Sequence, residues 1–258
     1  MEHIPLLEFA GESEAVIEPT RIIRRQDVPE ACVLCFFGDV VDALRRSHRL
    51  RIAALFHGEC GTFPLFALTV GDARVGLFHC PIGAPAAAGF LEELIAAGCR
   101  RFVACGGAGV LRPDIAVGHV IVPDAAVRDE GMSYHYLPPS RTVAADEASV
   151  AALVGVLERR HVSYLRGMTW TTDACYRETR AEVERHRAEG CLTVEMEAAG
   201  FMAVARFRRV AFAQLLYAGD DLSGVSWNGR SWLDHRPVRE QLVWLAAEAA
   251  LELPKVQN

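Results

Sequence analysis

The sequence predicts a layered α/β domain, and three observations carry that expectation. Apolar, strand-like runs alternate with helical segments along nearly the whole chain. Hydrophobic residues make up 51% of 258 residues, enough to bury one large core. No internal repeat or low-complexity linker divides the chain, so residues 1–30 read as an N-terminal extension and 31–258 as a single domain.

The elements follow in order. ACVLCFF (31–37) is a buried strand and VVDALRRSH (40–48) a short helix. PLFALTV and RVGLFHC are two strands joined by Gly71-Asp72, a hairpin signal. APAAAGFLEELIAAG (84–98) is a helix whose Gly98 suits a C-terminal cap. RRFVACGG (100–107) is a strand running into glycines, and GHVIVPDAAV (118–127) is another strand. SYHYLPPSRTVAADE (133–147) is the longest irregular stretch, and long loops in compact domains are often functional. ASVAALVGVLERRH (148–161) is a helix, YLRGMTWTTD (164–173) a strand and RAEVERHRAEG (180–190) a polar helix. LTVEM is a short strand entering the helix EAAGFMAVARF; VAFAQLLYAGDD (210–221) is a strand ending in acids; VREQLVWLAAEAALEL (238–253) is the last helix.

The net charge of −6 argues against a nucleic-acid-binding surface. Lys255 is the only lysine among 27 basic residues, which reads as compositional bias. No run of 18 apolar residues exists and the first 20 residues do not resemble a signal peptide, so a soluble cytoplasmic protein is expected, with no membrane partner. The eight cysteines sit mostly in apolar strand-like runs, as core residues of a reducing compartment do. Cys32 and Cys35 form a C-x-x-C, but without a second pair or a histidine cluster the strand-core reading is preferred over a metal or redox pair, and no metal is expected.

In open α/β sheets, ligands bind beyond the carboxyl ends of the strands. Those ends carry Gly38-Asp39, Gly83, Gly106-Gly107-Ala108-Gly109, Asp124 to Arg128, Thr171 to Asp173, Glu195 to Glu197 and Gly219-Asp220-Asp221. Glu195 and Glu197 stand two apart in apolar surroundings, and buried carboxylates are costly unless paired or hydrogen-bonded. Glu197 lies where strand becomes helix, and a helix N-terminus stabilises a carboxylate there. Such a carboxylate can accept two hydrogen bonds from a vicinal diol such as the 2′ and 3′ hydroxyls of ribose. The same spacing also fits a helix-capping glutamate plus a core salt bridge. GGAG (106–109) can cradle an anion with its amides, although a tight turn is the simpler reading. Of Asp220 and Asp221, adjacent on a strand, one faces the site and the other points away.

VEMEAAG, the segment VACGGAGVLRPDIAVGHVIVPDAAV and the late GDD after a strand together resemble the nucleoside phosphorylase superfamily. That superfamily includes purine nucleoside phosphorylase, uridine phosphorylase and methylthioadenosine nucleosidase, and the resemblance spans roughly residues 31 to 253. It implies a single-domain three-layer α/β/α fold around a mixed, barrel-like sheet. It also implies a homo-oligomer, a dimer or trimer of dimers, with sites shared across the dimer interface. Carried over, Glu197 holds the ribose hydroxyls, Met196 packs under the ribose, and Glu195 lies beside them. Gly106, Gly107 and Ala108 line base and phosphate, and Asp220 protonates the leaving base. His3 resembles the histidine that reaches a neighbour's ribose 5′ hydroxyl.

AVRDEGMSYHYLPPS (126–140) is similar to the uridine phosphorylase branch, whose base-binding segment matches TTDACYRET (171–179). There Cys175 stands where that branch has a stacking phenylalanine, which shifts the expected stacking to Tyr176. Arg177 and Glu178 are candidates for the base edges. Asp220, by contrast, is a purine-type feature, so the base stays open. The phosphate site departs further from the family pattern. Gly38 and Asp39 match it, but Asp42 holds the place of one arginine, Ala104 that of a second, Gly107 that of its serine or threonine partner, and Cys60 lies near a third. Arg45, Arg46 or Arg112 are the candidate replacements. If water replaces phosphate, Asp39 or Asp42 can orient it. The resemblance therefore implies phosphorolysis of a small-molecule nucleoside to free base and ribose 1-phosphate, with phosphate as co-substrate and no cofactor. A nucleoside hydrolase and a non-catalytic nucleoside-binding protein are the alternatives.

Overall fold

The structure is a computed structural model that describes residues 4–255. A short helix α1 (Pro19–Ile22) precedes β1 (Ala31–Cys35) and α2 (Gly38–Arg46). Three strands follow: β2 (Leu50–Gly58), β3 (Gly61–Val70) and β4 (Ala73–His79). Then come α3 (Ala84–Ala97), β5 (Arg101–Val110), β6 (Val120–Asp129), β7 (Thr142–Ala144) and α4 (Glu147–Arg159). The chain ends with β8 (Tyr164–Thr172), α5 (Arg180–Ala188), β9 (Cys191–Glu195), α6 (Ala198–Arg208), β10 (Ala211–Asp221) and α7 (Arg236–Glu252).

The strands form one mixed sheet in the order β10-β6-β8-β9-β5-β1-β4-β3-β2, with β7 added to β6. Because β10 also pairs with β5, the strands β5, β10, β6, β8 and β9 close into a five-strand barrel. The remaining strands extend from β5 as an open wing. Two cores flank the sheet. Val33, Cys35, Val103, Leu215 and Leu245 pack on one side, with α2, α4 and α7. Leu34, Leu91, Phe102, Phe201 and Phe212 pack on the other, with α3 and α6. This is the three-layer arrangement expected from the sequence.

Cys32 and Cys35 lie in β1 with opposite faces, one in each core, so the C-x-x-C is a strand pattern. Two expectations need correction. GGAG is not a tight turn, because residues 106–109 continue β5. Those glycines serve close packing instead: a Cβ on Gly107 would stand 3.1 Å from the Tyr217 ring, and one on Gly109 would collide with Leu222. Residues 133–147 are also less irregular than expected. Arg128 gathers them, its guanidinium donating to Ser133 (2.8 Å), the Pro138 carbonyl (2.7 Å) and Ser140 (2.7 Å) while stacking on Tyr134.

One feature of the sheet positions the site. β10 lies along one edge of β5 from Arg101 to Val110. On the other edge β1 pairs only as far as Cys105, and β9 pairs only from Gly109. Between them Gly106, Gly107 and Ala108 have no strand on that edge, and the sheet opens there.

Candidate functional site

Glu195 and Glu197 are both 6% exposed, and Met196 between them is half-exposed. The helix cap is Glu195, not Glu197 as expected. Glu195 Oε2 accepts the N–H of Glu197 (2.8 Å) and of Ala198 (2.7 Å), the orphan donors at the start of α6. Its Oε1 accepts the Thr171 hydroxyl (2.6 Å), and the Thr171 oxygen in turn accepts the Ala199 N–H (3.0 Å). Glu197 occupies the N-cap position by backbone, yet its side chain makes no cap bond. It reaches the turn before α3, where Oε1 accepts the Gly83 N–H at 2.6 Å. Gly83 has φ 99°, a conformation that favours glycine.

No salt bridge to either glutamate exists among the described residues, so of the alternative reading only the capping half holds, at Glu195. Burial pushes both carboxyls up. The hydrogen bonds into Glu195 favour its ionised form, whereas Glu197 is raised further by the charge of Glu195.

Asp220 and Asp221 divide as their alternation requires. Asp221 serves its own loop: its backbone bridges Asn228 in both directions (2.8 and 3.0 Å) and its carboxylate accepts the Ser223 N–H at 2.8 Å. Asp220 Oδ1 lies 3.4 Å from where a Gly109 Cβ would stand, at the end of the gap in β5. Its Oδ2 accepts the indole N–H of Trp227 at 2.6 Å. Sequence reasoning missed Trp227, because nothing in SGVSWNGRSW ties it to a strand end.

The segment after β8 runs near both Glu197 and Asp220. Asp173 adds its charge to the environment of Glu197 and accepts the Gly131 N–H (2.8 Å). Glu178 is half-buried, and burial, followed by the charges of Asp220 and Glu182, pushes its carboxyl up to about 7. Cys175, Tyr176 and Arg177 are exposed, and Tyr176 is 98% exposed.

At the opposite end, Gly38 begins α2 under His79, whose Cε1 lies 3.0 Å from a Cβ built on Gly38. Burial draws the His79 imidazole below its usual pKa, against the pull of Asp42. Asp39 is tied to Arg239 of α7 at 2.6 Å. Asp42 and Arg45 pair at 3.4 Å and are largely exposed. Both line a cavity of about 310 Å³ with Thr62, Phe63, His79 and Cys80. Of the other arginine candidates, Arg112 is held by Asp114 (2.9 Å) and Arg46 is exposed. Ala104 is wholly buried, and Cys60 is exposed where β2 turns into β3. His3 lies outside the described residues. His79 was missed although it ends a strand, the place where the other candidates were sought. A larger cavity of about 430 Å³ lies between α6 and the start of α4 and contains none of these groups.

β9 ends at Glu195 beside the opening in β5, and Asp220 stands by Gly109 at the end of that opening. A family model described as the phosphorylase superfamily matches residues 30–252, and the chain belongs to that family. It is 34% identical over 125 residues to guanosine phosphorylase of Halorubrum lacusprofundi, covering 48% of this chain and 52% of that protein. It is 30% identical over 159 residues to uridine phosphorylase of Treponema pallidum, covering 57% and 62%. The chain thus spans about half to three-fifths of the length of these relatives. The solved structure of uridine phosphorylase from Vibrio fischeri has the same fold, with a TM-score of 0.74 at 23% identity over 94% of this chain and 99% of that one. AMP nucleosidase from Bacteroides thetaiotaomicron superposes with a TM-score of 0.69 at 20% identity, covering 86% and 87%. No helix among the described residues is long and apolar enough to cross a membrane.

Proposed function

We propose that the protein is a nucleoside phosphorylase, nearest the uridine branch, that cleaves an N-ribosidic bond with phosphate to give free base and ribose 1-phosphate. The observation that carries this reading is Glu197. It is buried without a cation, fixed by the Gly83 N–H, and set next to half-exposed Met196. A buried acceptor with so little compensation from the protein is suited to substrate hydroxyls. Glu197 anchors the ribose diol, and Met196 packs against the sugar. Glu195 fixes the start of α6 and so the position of Glu197. Asp220, across the opening of β5, hydrogen-bonds or protonates the leaving base as negative charge develops on it. Phosphate lies between the start of α2 at Gly38 and the amides of Gly106 and Gly107. No metal or organic cofactor takes part.

The relatives named uridine phosphorylase and guanosine phosphorylase support this class of reaction. The free thiols of the described cysteines fit a cytoplasmic salvage enzyme. We further propose that it works as a homo-oligomer, a dimer or trimer of dimers. Hydrolysis is the second reading, favoured by one observation. Arg45 is paired with Asp42 and Arg112 with Asp114, so neither offers a free guanidinium for bidentate phosphate contact.

The test is chromatography of uridine, thymidine, inosine, guanosine, adenosine and methylthioadenosine after incubation with the protein, with and without phosphate. Base release that requires phosphate and yields a sugar 1-phosphate is the expected result. Equal release without phosphate, giving free sugar, replaces the phosphorylase with a hydrolase. No release in either buffer over hours overturns both.

A further inference from the structure

Trp227 combines features that the reaction outlined above does not use. Its indole N–H is bound to Asp220 at 2.6 Å, while the residue remains 65% exposed. Its polar atom is satisfied and its large apolar ring mostly faces water. An aromatic ring contributes most when its face is covered, so this one is placed for a partner.

The loop that carries it is built, not loose. The Asp221–Asn228 backbone bridge closes a hairpin whose far side holds Trp227. Arg230 clamps the base of that hairpin, donating to the carbonyls of Gly219 (2.9 Å), Ile115 (2.9 Å) and Asp220 (3.1 Å). Arg180 at the start of α5 holds the Leu222 carbonyl at 3.0 Å. The ring passes close over Gly229, where a Cβ would lie 2.8 Å from Cη2. These anchors fix the hairpin and leave Trp227, with Val225 at its tip, exposed. The other aromatic near the base end, Tyr176, is 98% exposed and has no fixed place against the pocket.

We propose that Trp227 is a positioning and specificity residue for a flat heteroaromatic base: its N–H holds the Asp220 carboxylate in the empty site, and its ring covers the base once the base takes over Asp220. This rests on the reading of Asp220 as the base-side acid. The exchange is a swap of partners. Asp220 Oδ2 loses the indole N–H and gains the base, and no bond to carbon is made or broken in it.

Two substitutions separate the two roles. Trp227→Phe keeps a ring and loses the N–H. Trp227→Ala loses both. Trp227→Phe, which keeps a ring over the base, should change KM less than twofold. Trp227→Ala should raise KM about tenfold, the scale of one base–aromatic stack, and change kcat less than twofold. A merely structural tryptophan would lower stability and kcat without this split between KM and kcat. An unchanged KM in Trp227→Ala, or a tenfold rise in Trp227→Phe, overturns the proposal while the nucleoside-cleaving reading stands. If the wild-type protein cleaves nothing, fluorescence titration with free uracil and guanine decides. Quenching in the wild type that Trp227→Phe lacks would keep Trp227 as the base contact on a protein that is not a phosphorylase. No quenching ends both ideas.

Discussion

Glu197 is 6% exposed, and the charges that bear on it, Glu195 and Asp173, are both negative. Its folded pKa is raised above the free carboxyl value of 4.5, so the folded chain holds a proton there that the unfolded chain has released. From about pH 4.5 upward this side chain therefore subtracts from stability, increasingly until its own raised pKa is passed. Glu197→Gln removes the titration and keeps an oxygen for the Gly83 N–H. The substitution should raise the melting temperature at pH 8, by about 2–4 °C for each kcal/mol relieved, and change it little at pH 5. Turnover should vanish at both. An active Gln variant would refute Glu197 as the ribose anchor, and a melting temperature lower at pH 8 than that of the wild type would refute the buried-charge account. The sequence showed that two carboxylates meet the start of a helix. It did not show which one caps it. That depends on side-chain direction at the strand–helix junction, and residue spacing does not encode this.

Among elements, the contact that sets Glu197 in place is the crossing of α3 and α6. Gly200 faces Ala84 there, and a Cβ on Gly200 would stand 3.0 Å from the Ala84 Cβ. Ala84 has no flexible end to swing aside, and Gly83, the donor to Glu197, is its neighbour. Gly200→Ala sets two effects against each other. Alanine gains about 1 kcal/mol over glycine in a helix interior. Overpacking a tight contact costs about 1–3 kcal/mol. The expected net is a loss of up to about 2 kcal/mol in chemical denaturation, with kcat/KM reduced about tenfold as the Gly83–Glu197 bond lengthens. Loss of stability with full activity would show that the crossing holds the fold but not the site. Most elements were legible because their apolar periods were clean. β2 was not anticipated. Its alternation breaks at a bulge between Ile52 and Ala54, and Arg51 and His57 interrupt its apolar run. The glycines of β5 suggested a turn because glycine marks both turns and close approaches. Only the packing of Tyr217 and Leu222 against them tells the two apart.

For the whole molecule, the barrel brings the ends of β9 and β10 to the same stretch of β5. β5 belongs both to the closed barrel and to the open wing, and the change of partner on its edge leaves Gly106 to Ala108 uncovered. That change joins residues more than 80 positions apart, and no local pattern marks it. The wing ends in β2, an edge strand with Ile52 62% and Leu55 46% exposed. Ile82, one residue before the Gly83 that binds Glu197, is 73% exposed. An apolar edge strand is a liability unless another chain covers it. If the protein is the homo-oligomer proposed above, a second copy is expected to cover this edge. Light scattering at micromolar concentration should give a mass of at least two chains. The double substitution Ile52→Lys and Leu55→Lys should return it to one, because two desolvated charges at an apolar contact are not tolerated. Both positions are exposed in the single chain, so the change in its intrinsic fold should stay within about 0.5 kcal/mol per site. Activity should fall with the mass, and recover as protein concentration is raised, if the second copy completes the pocket. A wild-type monomer, or a lysine variant that keeps the oligomer, would remove β2 from the interface.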